Sequence, residues 1–176
     1  MHRLRDEGKI RAIGLSCYVF RDFKRLVPRI QPSVVQAWAH CMDSHFINNH
    51  APMADLCKEY HCSFLGFSPL NQGILLNKYD ASNPPIFPPG DHRSSSEKFK
   101  APYLARAQKG LTAIEGRFGS ATDDYARVAL QFVLYHQMVA ATIAGFRNVS
   151  QIKTLLAATE KPLNGDDIAF IRKAFC

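Results

Sequence analysis

A fourfold alternation constrains this chain more than any other feature. Four short apolar runs, at residues 12–15, 33–36, 63–67 and 138–143, are each followed by residues with helical spacing. Phe20, Phe23, Leu26 and Val27 mark one helical face after the first run, and 53–60 is a short helix after the second. Leu104, Ala107, Leu111, Ile114 and Phe118 share a face ahead of the fourth run, and a helix starts near Asn148 after it. Buried strands alternating with helices build a parallel sheet. The pattern predicts an α/β protein of about four parallel β/α units plus C-terminal helices.

The punctuation agrees. Gly8 closes a helix over 2–9, and Pro32 ends the helix after the first run. Thr122 is an expected N-cap, with Asp123 and Asp124 suited to the helix dipole, and Asn164 is expected to cap a last helix carrying Ile168, Ile171 and Phe175. Residues 71–100 form a long loop with Pro84, Pro85, Pro88 and Pro89 and three serines at 94–96. Loops of that length inside compact domains are often functional. No internal repeat stands out, so 1–176 reads as a single domain.

Composition excludes several classes. Apolar residues make up 47% and charged residues 21%, too apolar for a disordered chain. Residues 128–146 lack Asp, Glu, Lys and Arg, but Gln131, His136 and Gln137 interrupt them, and the stretch reads as a helix and a strand rather than a membrane span. The charged first 14 residues have no apolar core of a signal peptide. Five cysteines, at 17, 41, 57, 62 and 176, form no CxxC and no zinc-spaced His/Cys set, which points to reduced thiols, a cytoplasmic location and no metal. The net charge is +7, and residues 1–31 hold eight Lys/Arg against three acids. No aromatic interleaving accompanies those cations, so they read as a solvated face and not as a nucleic-acid surface.

Ligands of parallel α/β folds sit at the C-terminal ends of the strands. Here those ends carry Ser16, then Gln36, then Ser68-Pro69-Leu70-Asn71-Gln72-Gly73. A hydroxyl and an amide there suit a carboxamide, and they also suit plain strand capping. The fourth end, Gly145-Phe146-Arg147-Asn148, runs straight into a helix. A helix N-terminus, a glycine and a guanidinium together resemble a phosphate corner, or a glycine turn with a surface arginine. Lys78 and Arg93, in the long loop, either face the same polyanion or are solvated. No GxGxxG, GxxxxGK[ST], HExxH or GxSxG is present, and no His and acid spacing fixes a triad.

Taken in order, these blocks resemble the C-terminal half of the aldo-keto reductases. Residues 7–16 (EGKIRAIGLS) resemble the segment entering that family's fifth barrel strand, and Val35-Gln36 its sixth. Phe67-Ser68-Pro69-Leu70 with Gly73, Leu75, Lys78 and Tyr79 resembles the seventh strand and its loop, which 90–94 (GDHRS) continues. Val128-Ala129-Leu130 and Val133-Leu134 resemble the helix before strand eight, and Ile143, Gly145, Arg147 and Gln151 that strand and its adenosine-phosphate corner.

The resemblance implies a partial (β/α)8 TIM barrel and NADP(H) as cofactor. It implies that Ser16 and Gln36 hold the nicotinamide carboxamide, with Phe67 stacked on the ring. Ser68, Pro69, Leu70, Gln72, Lys78 and Arg93 are then expected along the pyrophosphate, and Gly145, Arg147 and Gln151 at the adenosine phosphate. Two positions depart from the family pattern: Cys17 replaces the usual Asn, and Thr154 and Leu155 replace Glu and Asn. The family's catalytic Asp, Tyr, Lys and His come from the first four barrel strands, so no catalytic residue is assigned here. The chain alone is expected to be inactive toward a carbonyl substrate. A non-catalytic, nucleotide-binding or regulatory homologue is the alternative reading. A complete barrel takes about 250 residues, so open strand edges are expected to be covered by self-association or by the missing half.

Overall fold

The structure is a computed structural model and describes residues 1–48 and 51–176. The chain forms two compact units: residues 1–69 with 133–144, and residues 70–132 with 145–176.

The first unit holds the sheet. Its strands are β1 (Gly14–Ser16), β2 (Val34–Trp38), β3 (Ser63–Phe67) and β4 (Val139–Ile143), in spatial order β1-β2-β3-β4. All three pairings are parallel, with Ser16 opposite Gln36 and Phe67 opposite both Trp38 and Ile143. The first helix, α1 (His2–Asp6), precedes β1; α2 (Phe20–Ile30) joins β1 to β2, and α3 (Pro52–Glu59) joins β2 to β3. Four apolar runs therefore became four parallel strands. The first begins later than the sequence pattern placed it, because the ladder starts at Gly14 opposite Val34, although Ile13 already accepts from the Ser33 N–H at 2.8 Å. The second starts one residue later and ends two residues later, because Ala37 and Trp38 stay paired with Gly66 and Phe67.

Side chains alternate across β2 and β3. Val35, Ala37 and Phe64 are fully buried, as are Phe23 and Val27 of α2. Val34, Gln36, Trp38, Leu65 and Phe67, on the opposite face, are only half-buried. The sheet thus has one covered and one open face, although runs of uniform apolarity usually mark strands covered on both. Gly66 lies on the covered face: a Cβ there would come within 3.0 Å of Val133 Cγ1 and 3.3 Å of Ala39 Cβ. A side chain at 66 would force the strand away from that packing. The outer edges of β1 and β4 have no strand partner among the described residues.

The second unit is helical. It contains α4 (Ala101–Phe118), most of α5 (Thr122–Leu134), α6 (Val149–Ala157) and α7 (Gly165–Phe175). Leu104, Ala107, Leu111 and Ile114 are buried along the predicted face of α4, and Ile168, Ile171 and Phe175 along that of α7. Gly110 has no Cβ to displace the Phe175 ring, so the two helices approach closely. Arg117 Nη2 meets Asp167 Oδ1 at 2.7 Å, and buried Gln131 donates to the Ala158 carbonyl at 2.9 Å.

Thr122 is not the N-cap the sequence pattern predicts. It is the first helical residue, and the Asp124 carboxylate accepts instead from the Ala121 N–H at 3.1 Å. The long loop is less irregular than its composition implies, because short 3₁₀ turns form at Asn71–Leu76, His92–Ser95 and Glu97–Phe99. Residues 128–146 divide into the end of α5 and β4, and among the described residues no helix is long and apolar enough to cross a membrane. The buried thiols are chemically quiet: burial pushes Cys41 up to about 12, and burial followed by neighbouring Cys62 pushes Cys57 to about 12.

The cap of α7 is complete. Asn164 Oδ1 accepts from the Asp167 N–H at 2.9 Å, and the Asp167 carboxylate accepts from the Asn164 N–H at 3.1 Å. An Asn164→Ala variant should lose about 0.5–2 kcal/mol in urea unfolding followed by circular dichroism. An unchanged midpoint would show that α7 does not depend on this cap.

Candidate functional site

The polar residues singled out in the sequence lie at the C-terminal ends of the strands and in the segments that leave them. They divide between the two units.

In the sheet unit, Ser16 and Gln36 end up side by side through the β1–β2 register. The Ser16 hydroxyl donates to the Gln36 carbonyl at 3.2 Å, and the Cys17 N–H donates to the same oxygen at 3.3 Å. That leaves the Gln36 side-chain amide half-buried on the open face. Burial and then Asp22 push the Cys17 thiol up, against a smaller opposing effect of Arg25, so a neutral thiol stands where an amide would offer stronger hydrogen bonds. Phe67 ends β3 on the same open face as Gln36 and Trp38. Tyr18 meets Phe67 edge-on at 6.0 Å between centroids and lies tilted against Trp38 at 5.8 Å. Ser68 follows with φ at +59°. An L-residue held in that region is costly and is typical of ligand-binding turns. Pro69 is buried next to it.

In the helical unit, the segment after Leu70 keeps the left-handed backbone: Asn71 at φ +46°, Gln72 at +57° and Gly73 at +88°. The structure separates two neighbouring amides there. Asn71 is fully buried, donating to the Tyr103 hydroxyl at 2.8 Å and accepting from Lys98 at 2.9 Å. Gln72 is exposed. Asn71 therefore anchors the turn, and Gln72 is the one that faces outward.

Arg93 is fixed in place. Its Nε and Nη2 fork onto Asp91 at 2.9 and 2.5 Å, and its guanidinium lies 4.3 Å above the Phe87 ring. The hydrogen bonds from Arg93 hold the Asp91 carboxyl well below the usual carboxylate range. Its charge is thus already offset, a pairing the sequence gives no means of anticipating. Arg93, Phe87, Phe99 and Lys100 line a cleft of about 420 Å³. Lys78 and Arg147 differ from Arg93: both are exposed, and among the described residues neither is paired with a carboxylate.

The segment after β4 is built around the α6 cap. Asn148 accepts from the Gln151 N–H at 2.9 Å, and the Gln151 side chain folds back to accept from the Arg147 N–H at 2.7 Å. A Cβ added at Gly145 would meet nothing within 4 Å, and its φ is ordinary. Nothing in the chain therefore requires glycine there, and the space above it is open. Thr154 is turned toward Asp123, donating to it at 2.7 Å.

The sequence model of the aldo/keto reductase family matches residues 1–175. The chain belongs to the aldo/keto reductase family. It is 25% identical to the L-galactose dehydrogenase of Arabidopsis thaliana over 162 residues, 90% of this chain and 44% of that protein. Its fold matches a glycerol dehydrogenase from Gluconobacter oxydans with a TM-score of 0.77 at 19% identity, covering 98% of this chain and 51% of that one. The apo form of an aldo-keto reductase from Bacillus halodurans matches with a TM-score of 0.72 at 20% identity, covering 98% and 54%. The chain thus spans about half the length of the proteins it matches, and its four-stranded sheet is a part of a TIM barrel.

Two groups, one in each unit, escaped the sequence reading. One is the Asp91 partner of Arg93. The other is Asp43 with His45, in the segment leaving β2, whose only signal was an Asp-x-His spacing a few residues beyond a strand end.

The position of Gln151 gives a direct test. If its amide is a helix cap, Gln151→Ala should destabilise the chain by about 0.5–1.5 kcal/mol, the usual worth of one hydrogen bond. Equilibrium denaturation without added nucleotide measures this. An unchanged stability would mean that the Gln151–Arg147 bond contributes nothing to the folded state.

Proposed function

We propose that this chain is the cofactor-holding part of an NADP(H)-dependent oxidoreductase that moves a hydride between nicotinamide and a carbonyl or alcohol substrate. The observation that carries this reading is the corner after β4. Arg147 stands exposed, free of any carboxylate among the described residues, one position before the Asn148 cap of α6. A helix N-terminus and an uncommitted guanidinium form a ready site for a phosphate monoester.

The residues present fit the cofactor. Gly145 leaves an open space that a side chain would fill. Gln36 keeps its amide available on the open face for the carboxamide, and the half-buried Phe67 ring offers a stacking surface. Gln72 and Lys78 are exposed for the pyrophosphate with Ser68 and Leu70, while Arg93 contributes a fixed, partly neutralised donor. The Arg147 guanidinium selects NADP(H) over NAD(H) through the 2′-phosphate. When bound, the dinucleotide supplies or accepts the hydride; the chain's residues bind it, orient it and present one face of the ring.

The same reading accounts for the unpaired edges of β1 and β4. They are where the remaining strands of an eight-stranded barrel pair, whether from further sequence of the same protein, a separate partner or a second copy. By resemblance to the family, those strands carry its proton donor and part of the substrate pocket.

Calorimetric titration of the purified chain with NADPH and NADH tests the central point. NADPH should bind more tightly, and Arg147→Ala should weaken NADPH by about 10- to 100-fold while leaving NADH nearly unchanged, the loss expected for a hydrogen bond to a charged group. Equal weakening of both dinucleotides would remove the 2′-phosphate from the account, and no binding of either would overturn it.

A further inference from the structure

The turn that follows Leu70 is tied to the helices of its own unit by two chains of side-chain hydrogen bonds that the cofactor reading does not use. Asn71, Gln72, Gly73 and Asn77 all have left-handed φ angles, between +46° and +88°. Three of these residues are not glycine, and an L-residue rarely adopts that region unless its surroundings hold it there. Backbone bonds close the turn: the Gly73 and Leu75 N–H groups donate to the Leu70 carbonyl at 2.9 and 3.2 Å, and the Asn77 N–H donates to Ile74 at 3.2 Å.

Each end of the turn is an asparagine, and each asparagine gives its amide to a tyrosine. At the first end Asn71 Nδ2 donates to the Tyr103 hydroxyl of α4 at 2.8 Å, while Lys98 Nζ donates to Asn71 Oδ1 at 2.9 Å. At the second end Asn77 Nδ2 donates to the Tyr125 hydroxyl of α5 at 3.1 Å, and that hydroxyl donates to Glu115 Oε1 at 2.6 Å. Tyr125 is only 3% exposed. Burial and then the Glu115 hydrogen bond push its phenol up, so it stays protonated, a donor to the carboxylate and an acceptor for the amide.

The two phenols thus fix both ends of the turn and leave its outward groups exposed. Gln72 is exposed between the two anchors. Lys78 is exposed directly after the second anchor, and its stem bends back over the turn: Cδ lies 4.0 Å from where a Gly73 Cβ would stand. A loose turn has to be ordered when a polyanion binds, and the lost freedom weakens the complex; a turn already set avoids that loss.

We propose that Tyr103 and Tyr125 are positioning residues for dinucleotide binding: through Asn71 and Asn77 they preset Gln72 and Lys78 to receive the pyrophosphate. The inference rests on the cofactor reading above and deepens it, because it gives two residues of the helices a part in holding the dinucleotide.

Calorimetric titration of the full chain with NADPH and with adenosine 2′-monophosphate tests the proposal. The second ligand carries the 2′-phosphate and no pyrophosphate. Tyr103→Phe and Tyr125→Phe keep the ring and remove the hydroxyl. Each should weaken NADPH by about 5- to 10-fold, the loss expected for one hydrogen bond, and leave adenosine 2′-monophosphate nearly unchanged. Asn77→Gly keeps the left-handed backbone accessible and removes the amide. It should cause the same loss as Tyr125→Phe, and the double variant should lose no more than either alone, because the hydroxyl acts through that amide. Asn77→Gly also carries the test if the Tyr125→Phe chain does not fold.

Equal weakening of both ligands would show that the hydroxyls support the fold and nothing more, and would overturn the proposal. So would an NADPH affinity unchanged in either phenylalanine variant, or losses from Tyr125→Phe and Asn77→Gly that add. In each of these cases the parent chain still binds NADPH, and the cofactor reading stands. If the parent chain does not bind NADPH, both fail.

Discussion

The β2–β3 ladder is the constraint on which the sheet unit depends. Val34 through Trp38 pair in register with Ser63 through Phe67, without a break. That register buries Val35, Ala37 and Phe64 on one face and leaves Gln36, Trp38 and Phe67 on the other. A one-residue slip of β2 would exchange its two faces, placing the Gln36 amide in the core and turning Val35 and Ala37 out of it. The absence of a Cβ at Gly66 lets the ladder pack against Val133 and Ala39 at contact distance. From this one pairing come the neighbouring positions of Ser16 and Gln36 through β1, and of Phe67 and Ile143 through β4.

Much of this was legible in the amino-acid sequence. The strand over 63–67 appears with the bounds that its apolar run gives, because Ser63 and Ser68-Pro69 punctuate both ends. Asn164 caps α7 as its spacing with Asp167 implies. Where the reading failed, tertiary pairing had the last word. β2 extends through Ala37 and Trp38 because β3 offers partners there, which no local signal reports. Thr122 yielded the cap position to Ala121 because Asp124 reaches back across one turn.

The candidate site was legible as a set of positions and not as a set of bonds. Motif order placed Ser16, Gln36, Phe67, Arg93 and Arg147, yet nothing in the motifs distinguishes a committed cation from a free one. Arg93 is forked onto Asp91 two residues away, whereas among the described residues Arg147 has only its backbone engaged. Asn71 and Gln72 are adjacent amides with opposite fates, one fully buried against Tyr103 and Lys98 and the other exposed. Much of the net positive charge remains in residues 1–31, on a surface where Arg3, Lys9 and Arg25 meet local acids. That part of the charge has no role in the site described.

Hydrogen–deuterium exchange of the chain with and without NADPH tests the account most directly, because it reads both units at once. The account predicts slowed exchange in 14–18, 67–78 and 145–151, the three segments proposed to meet the carboxamide, pyrophosphate and adenosine phosphate. Exchange unchanged in all three, or slowed only elsewhere, would contradict the claim that this chain holds the cofactor.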